Sequence, residues 1–239
     1  MAYQAGAVSA ELATLSRPAI WAVVPVKDLS GAKRRLTPLL SATERRALFA
    51  AMLEDVLCAL AASPGLAGIL MVARDALAHD LAGRYGARVL VEDENRGHTA
   101  ASTLGARTLA QGGIAGMVQV PADLPLLTSV DIAALLRAHG GAPAVTLAPS
   151  RDERGTNAVV CSPPDLLPLC FGDDSFRPHL ERARSLGIEP QIVRRPGLGL
   201  DIDTPGDLAA FLAAPSETRA FAYLAGSGIA DRLRFRLPG

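Results

Sequence analysis

Gly116-Met-Val-Gln-Val-Pro121-Ala-Asp123-Leu-Pro125 is an apolar run that ends on an aspartate held between prolines. Gly116 to Val120 predicts a buried strand. Pro121 and Pro125 restrict the backbone on either side of Asp123, so its carboxylate leaves the strand end in a defined direction. In an open α/β sheet that end is where ligands bind. A hard oxygen ligand held this way suits Mg²⁺. A turn or capping aspartate after a strand is an equal reading at this point.

Outward from this stretch, short apolar runs alternate with helical patterns. Strands are predicted at Ala19 to Val26, Gly68 to Ala73, Arg88 to Val91, Ala144 to Ala148, Asn157 to Cys161 and Glu189 to Arg194. Helices are predicted at Thr43 to Leu60, Asp75 to Tyr85, His98 to Ala110, Thr128 to His139, Ser175 to Leu186 and Thr204 to Leu212. Ser41 and Glu44 have capping-box spacing before the first of these. The alternation implies an α/β fold, a mostly parallel sheet sandwiched by helices. One domain is expected over 19–213. Residues 1–18 and 214–239 read as terminal extensions, the second with a short amphipathic helix.

At 239 residues the chain can bury a large core. Apolar residues at 49% exclude disorder, and a formal net charge of zero with 4% aromatics argues against nucleic-acid binding. Cys58, Cys161 and Cys170 form no C-x-x-C pair and read as buried thiols in a reducing compartment. Met1 to Pro18 is interrupted by Glu11 and Arg17, unlike a secretory signal, and no run is long enough to cross a bilayer. A cytoplasmic protein with no membrane partner is expected.

Only two of the 24 basic residues are lysines, Lys27 and Lys33, and both fall in Val24-Pro-Val-Lys27-Asp-Leu-Ser-Gly-Ala-Lys33-Arg-Arg-Leu36. In a chain that otherwise uses arginine, these compact cations are candidates for gripping phosphate. Asp201 and Asp203, in Leu200-Asp-Ile-Asp-Thr-Pro205, point the same way if extended and can share a metal with Asp123. Asp203 has the alternative of capping the helix that follows. Ser175, in Phe171-Gly-Asp-Asp-Ser175-Phe176, would set a hydroxyl beside the free N–H groups of a helix start. His79, His98, His139 and His179 lack zinc spacing, and G-x-G-x-x-G, G-x-x-x-x-G-K-[ST] and G-x-S-x-G are all absent.

Taken in order, Val24-Pro-Val-Lys27 with Lys33-Arg-Arg-Leu36, Pro121-Ala-Asp-Leu-Pro125, Gly155-Thr-Asn157, Phe171-Gly-Asp-Asp-Ser175 and Asp201-Ile-Asp203 resemble the guanylyltransferase family of coenzyme F-420 biosynthesis. The resemblance runs from about Ala19 to about Ala213. It implies a nucleotide-diphospho-sugar-transferase-like fold, dependence on Mg²⁺, GTP as donor and a phosphorylated three-carbon acid as acceptor. That acid is phosphoenolpyruvate, 2-phospho-L-lactate or 3-phospho-D-glycerate. It further implies that Asp123, Asp201 and Asp203 hold the metal, that Thr156, Gly172 and Ser175 contact the acid, and that Lys27 neutralises phosphate. Arg96-Gly-His-Thr-Ala100 departs from the family's Gly-Leu-Asn-type helix opening, which bears on the identity of the acid.

The expected reaction is attack by the acid's phosphate on the α-phosphorus of GTP, with Lys27, Lys33 and Asp123 as the catalytic set. A molybdopterin- or cytidylyl-type nucleotidyltransferase, a metal-dependent glycosyltransferase and a non-catalytic nucleotide-binding module are the alternatives. The sequence leaves a homodimer open. The unstable diphosphate product implies a downstream transferase that consumes it.

Overall fold

The computed structural model describes residues 19–26, 33–94 and 96–236. Strand β1 (Ile20–Pro25) leads through a 3₁₀ turn (Arg34–Leu36) into α1 (Ala42–Ala61). Strands and helices then alternate: β2 (Leu66–Val72), α2 (Ala76–Arg84), β3 (Arg88–Leu90), α3 (His98–Gln111), β4 (Gly116–Gln119) and α4 (Ser129–Ala138). An antiparallel pair follows, β5 (Ala144–Pro149) and β6 (Thr156–Ser162), and then α5 (Phe176–Ser185) and β7 (Gln191–Ile192). The chain closes with the short α6 (Pro196–Gly199), α7 (Pro205–Leu212), α8 (Arg219–Gly226) and α9 (Ile229–Arg236).

Among the described residues the strands form one seven-stranded sheet in the order β3-β2-β1-β4-β6-β5-β7. β3, β2, β1 and β4 run parallel, and β6 runs antiparallel to both β4 and β5. The mostly parallel α/β sheet expected from the sequence is therefore present. Its β1 shows why a continuous apolar run is needed here. Ala22 and Val24 face one helical layer, with α1, α4 and α7, while Trp21 and Val23 face the other, with α3 and α5. A strand buried on both sides has no polar alternation to display. On the second face α3 lies close enough that a Cβ on Gly105 would come within 2.6 Å of Val23 Cγ1.

The predicted capping box is formed: Ser41 Oγ accepts from the Glu44 N–H, and the Glu44 carboxylate accepts from the Ser41 N–H. Two expectations need correction. Cys58 is exposed on α1, whereas Cys161 is buried and Cys170 lies between these extremes. The segment after residue 213 carries two helices, and Ala220, Leu224, Ile229 and Leu233 join the same core as α1. It is part of the domain. The sequence reading expected one short amphipathic helix in this segment; the structure has two, α8 and α9.

Asp55, buried on α1, secures this closure by accepting from the backbone N–H groups of Arg219 (2.8 Å) and Ala220 (2.9 Å) at the start of α8. Asp55→Ala would leave both donors unpaired beside apolar surface. It should destabilise the protein by about 1–3 kcal/mol. Amide exchange should speed up over α8 and α9 before the sheet; unchanged exchange there would refute the role of Asp55.

Candidate active site

From β1 the chain builds outward through β2 and β3, then returns to place β4 on the other side of β1. The crevice between the carboxyl ends of β1 and β4 is thus a topological switch point, where diverging connections leave space for a ligand. Lys33 follows β1 and Asp123 follows β4. They meet in that crevice: the Lys33 ammonium donates to Asp123 Oδ2 and, at 2.7 Å, to Asp203 Oδ1.

Local structure positions each partner. Leu36, fully buried, anchors the 3₁₀ turn behind Lys33. Lys33 itself adopts φ 56°, a left-handed conformation that a non-glycine residue enters at a cost of about 1 kcal/mol or more. The Lys33 side chain is only 4% exposed. Burial would lower its pKa, but the charges and hydrogen bonds of Asp123 and Asp203 outweigh that and hold it above the ordinary value. The ammonium is therefore charged. Lys27 lies outside the described residues.

Asp203 does not cap α7. Thr204 takes that place, in a reciprocal capping box with Asp207, which leaves Asp203 for Lys33. The Ile202 N–H donates to the Asp123 carbonyl at 3.1 Å and ties the two acidic segments together. The segment that carries Asp201 and Asp203 follows the short helix α6, which comes after β7. Asn157 fixes the geometry there, donating to the Leu198 carbonyl (2.9 Å) and to Asp201 Oδ1 (3.2 Å).

Asp201 is the strained member. Burial, then the neighbouring charges of Asp123 and Asp203, push its carboxyl up to about 6 against the Asn157 hydrogen bond. Asp123 Oδ1 is buried and makes no hydrogen bond. Of the three carboxylates, Asp123 and Asp203 share the Lys33 ammonium, while Asp201 accepts from Asn157. No set of three metal-type ligands among the described residues is already drawn into a cage. The unbonded Asp123 Oδ1 and the crowding of Asp201 by neighbouring carboxylates nevertheless fit a divalent cation held by Asp123, Asp201 and Asp203.

A raised acid pKa fixes the sign of a pH effect. The folded, metal-free protein holds the Asp201 proton more tightly than the unfolded chain does. Its stability therefore falls as pH rises from about 4 to about 6, and the full penalty applies above that. Asp201→Asn should make the chelated protein more stable near pH 8 by about 1–3 kcal/mol. The difference should vanish near pH 4. Thermal unfolding at the two pH values measures it; equal stability near pH 8 would sink this account.

Because β6 is antiparallel to β4, its first residues lie at the ligand-binding edge: Gln119 pairs with Val159, and Thr156 lies further along in the direction of Asp123. Thr156 and Ser175 are joined there, the Thr156 N–H donating to Ser175 Oγ at 2.9 Å. Ser175 stands at the start of α5, yet its hydroxyl makes no capping bond to that helix. The loop around Gly172 is tied down through Phe171, whose N–H donates to Thr99 Oγ1 at 2.9 Å. The Phe171 ring meets the edges of His98 (4.6 Å) and His179 (5.0 Å). At the rim Arg35 pairs with Asp173 and Arg154 with Asp174.

Lys33, Asp123, Asp201 and Asp203 share one cleft of about 1020 Å³ with Thr156, Gly172 and Ser175. That is room for a nucleotide and a small acid together. Every sequence-predicted site residue among the described residues lines it. Sequence reading set Asn157 at a strand start and within the Gly155-Thr-Asn157 motif but gave its side chain no role. Thr99 entered it only as part of the Arg96-Gly-His-Thr-Ala100 departure, His98 through that departure and metal spacing, and His179 was weighed only for metal spacing.

A family model described as "Guanylyl transferase CofC like" matches residues 20–234. The phosphoenolpyruvate guanylyltransferase of Rubrobacter xylanophilus is 39% identical over 80% of this chain and 92% of its own. The 3-phospho-D-glycerate guanylyltransferase of Colwellia psychrerythraea is 34% identical over 81% and 92%. The 2-phospho-L-lactate guanylyltransferase of Methanothermobacter thermautotrophicus is 32% identical over 85% and 88%. Among solved structures, a candidate nucleotide-diphospho-sugar transferase from Desulfovibrio desulfuricans G20 superposes with a TM-score of 0.74, at 16% identity, over 92% of this chain and 98% of that one. A 4-diphosphocytidyl-2C-methyl-D-erythritol synthase gives 0.57, at 14% identity, over 82% and 98%. These structures share the fold that the sequence predicted.

Proposed function

Because this chain belongs to the CofC-like guanylyl transferase family, we propose that it moves GMP from GTP onto the phosphate of a three-carbon acid in coenzyme F-420 biosynthesis. The acid is phosphoenolpyruvate, 2-phospho-L-lactate or 3-phospho-D-glycerate, the substrates in the names of its relatives. The observation that carries this reading is the meeting of Lys33 and three carboxylates at the switch point, opposite the hydroxyls of Thr156 and Ser175.

An oxygen of the acid's phosphate forms a bond to the α-phosphorus of GTP, and the bond from that phosphorus to the bridging oxygen breaks. Pyrophosphate leaves with that bonding pair, and the product is a mixed diphosphate. A phosphate monoester is already ionised near neutral pH, so no side-chain base is needed. The obstacle is repulsion between two anions. Mg²⁺, held by Asp123, Asp201 and Asp203, would supply neutralising charge beside the phosphates. Lys33, with its ammonium fixed and charged, adds a cation that need not reorganise. Thr156 and Ser175 orient the acid, and catalysis is positioning plus electrostatics.

The test is the purified protein with Mg²⁺, each common nucleoside triphosphate and each of the three acids, reading pyrophosphate and product masses. A guanylylated acid is expected. Turnover of CTP or of a pterin acceptor in its place would overturn the reading, as would GTP binding without turnover on any acid.

A further inference from the structure

We propose that His179 is a positioning residue that turns the hydroxyl proton of Thr156 into the cleft, making Thr156 and Ser175 a matched pair of donors for the acid. This rests on the reading above that these hydroxyls meet the acceptor.

A backbone N–H can only donate. The Cys170 N–H lies 2.9 Å from His179 Nε2, so that nitrogen must carry the lone pair. The proton of a neutral imidazole then sits on Nδ1. Nδ1 lies 2.9 Å from Thr156 Oγ1 and donates to it. With its oxygen accepting from the ring, the Thr156 hydroxyl keeps one hydrogen, which meets no acceptor among the described residues. Ser175 is in the same state, its oxygen accepting from the Thr156 N–H at 2.9 Å. Both residues line the cleft, and His179, fully buried, does not. The opposite tautomer would set two donors face to face at Cys170 and let the ring take the Thr156 proton away from the ligand. Burial, then Arg182, lowers the His179 pKa to about 4, which keeps the ring neutral through the working pH range.

Histidine nitrogen NMR on the full chain tests the tautomer without any substrate. Protonation at Nδ1 is expected, and protonation at Nε2 overturns the proposal. Kinetics test the consequence. His179→Phe keeps a ring against Phe171 but has no donor, whereas the amide nitrogen of His179→Asn can stand where Nδ1 does. His179→Phe should raise KM for the acid by about 10- to 100-fold with KM for GTP unchanged. His179→Asn should recover most of this. In a Thr156→Val background His179→Phe should add nothing; a full additional loss there would mean that His179 merely supports the fold, and the proposal fails. Should wild-type protein turn over none of the acids, it is the functional reading that falls, and the tautomer is still decided by NMR.

Discussion

Asp123→Ala is expected to fold normally and to lose about 10²- to 10³-fold in kcat with GTP and the accepted acid. Its stability should hold because the substitution removes one of three mutually repelling carboxylates, while Lys33 keeps Asp203 as a partner at 2.7 Å. Its activity should fall because no other group is placed as Asp123 is. One oxygen orients the Lys33 ammonium, and the other is buried and unbonded. Asp123→Asn keeps the shape but not the charge and should fall nearly as far, separating electrostatics from packing. Pyrophosphate release measures both variants. Near-wild-type turnover in either would rule out the role given to this carboxylate.

Lys33→Ala should do more harm, because it damages both stability and catalysis. It takes from Asp123 and Asp203 the ammonium that they share, beside Asp201. Removing one partner of a buried ion pair typically costs about 3–5 kcal/mol; Asp203 is 44% exposed, so water can recover part of that and about 2–3 kcal/mol is expected near pH 8. The deficit has a definite pH sign. Without the ammonium, the carboxylates bind protons more tightly folded than unfolded, so the loss should shrink as pH falls below about 6 and the carboxylates neutralise. Mg²⁺ should offset it in the same direction at high pH. Lys33→Gly should be about 1 kcal/mol more stable than Lys33→Ala, since glycine adopts φ 56° without strain. Turnover should drop by about 10²-fold or more in both. A Lys33→Ala protein as stable near pH 8 as wild type would show that the ammonium is not the counter-charge of this cluster.

The alternation of elements was legible because several of the short apolar runs are followed by a capped helix start. Ser41, Asp75, Thr128 and Thr204 all cap the helices that follow them. Where caps are local and apolar faces regular, neighbouring residues settle the structure. That the C-terminal segment packs into the domain escaped because its support is remote: Asp55 lies 164 residues before Arg219 in the chain. His179 escaped for the same reason, since its partners Thr156 and Cys170 belong to a different strand and loop.

The linear order of residues therefore sufficed for the α/β class and for the proline-framed Asp123, since each depends on backbone restrictions and periodicities spanning a few residues. Folding decided who meets whom. The return of the chain across β1 to β4 brings Lys33 against Asp123, and the reversed direction of β6 carries Thr156 to the same edge. Those meetings set the charge on Lys33, the strain on Asp201 and the proton of Thr156. Electrostatic and hydrogen-bond energies depend on distance in space, and a sequence states only distance along the chain.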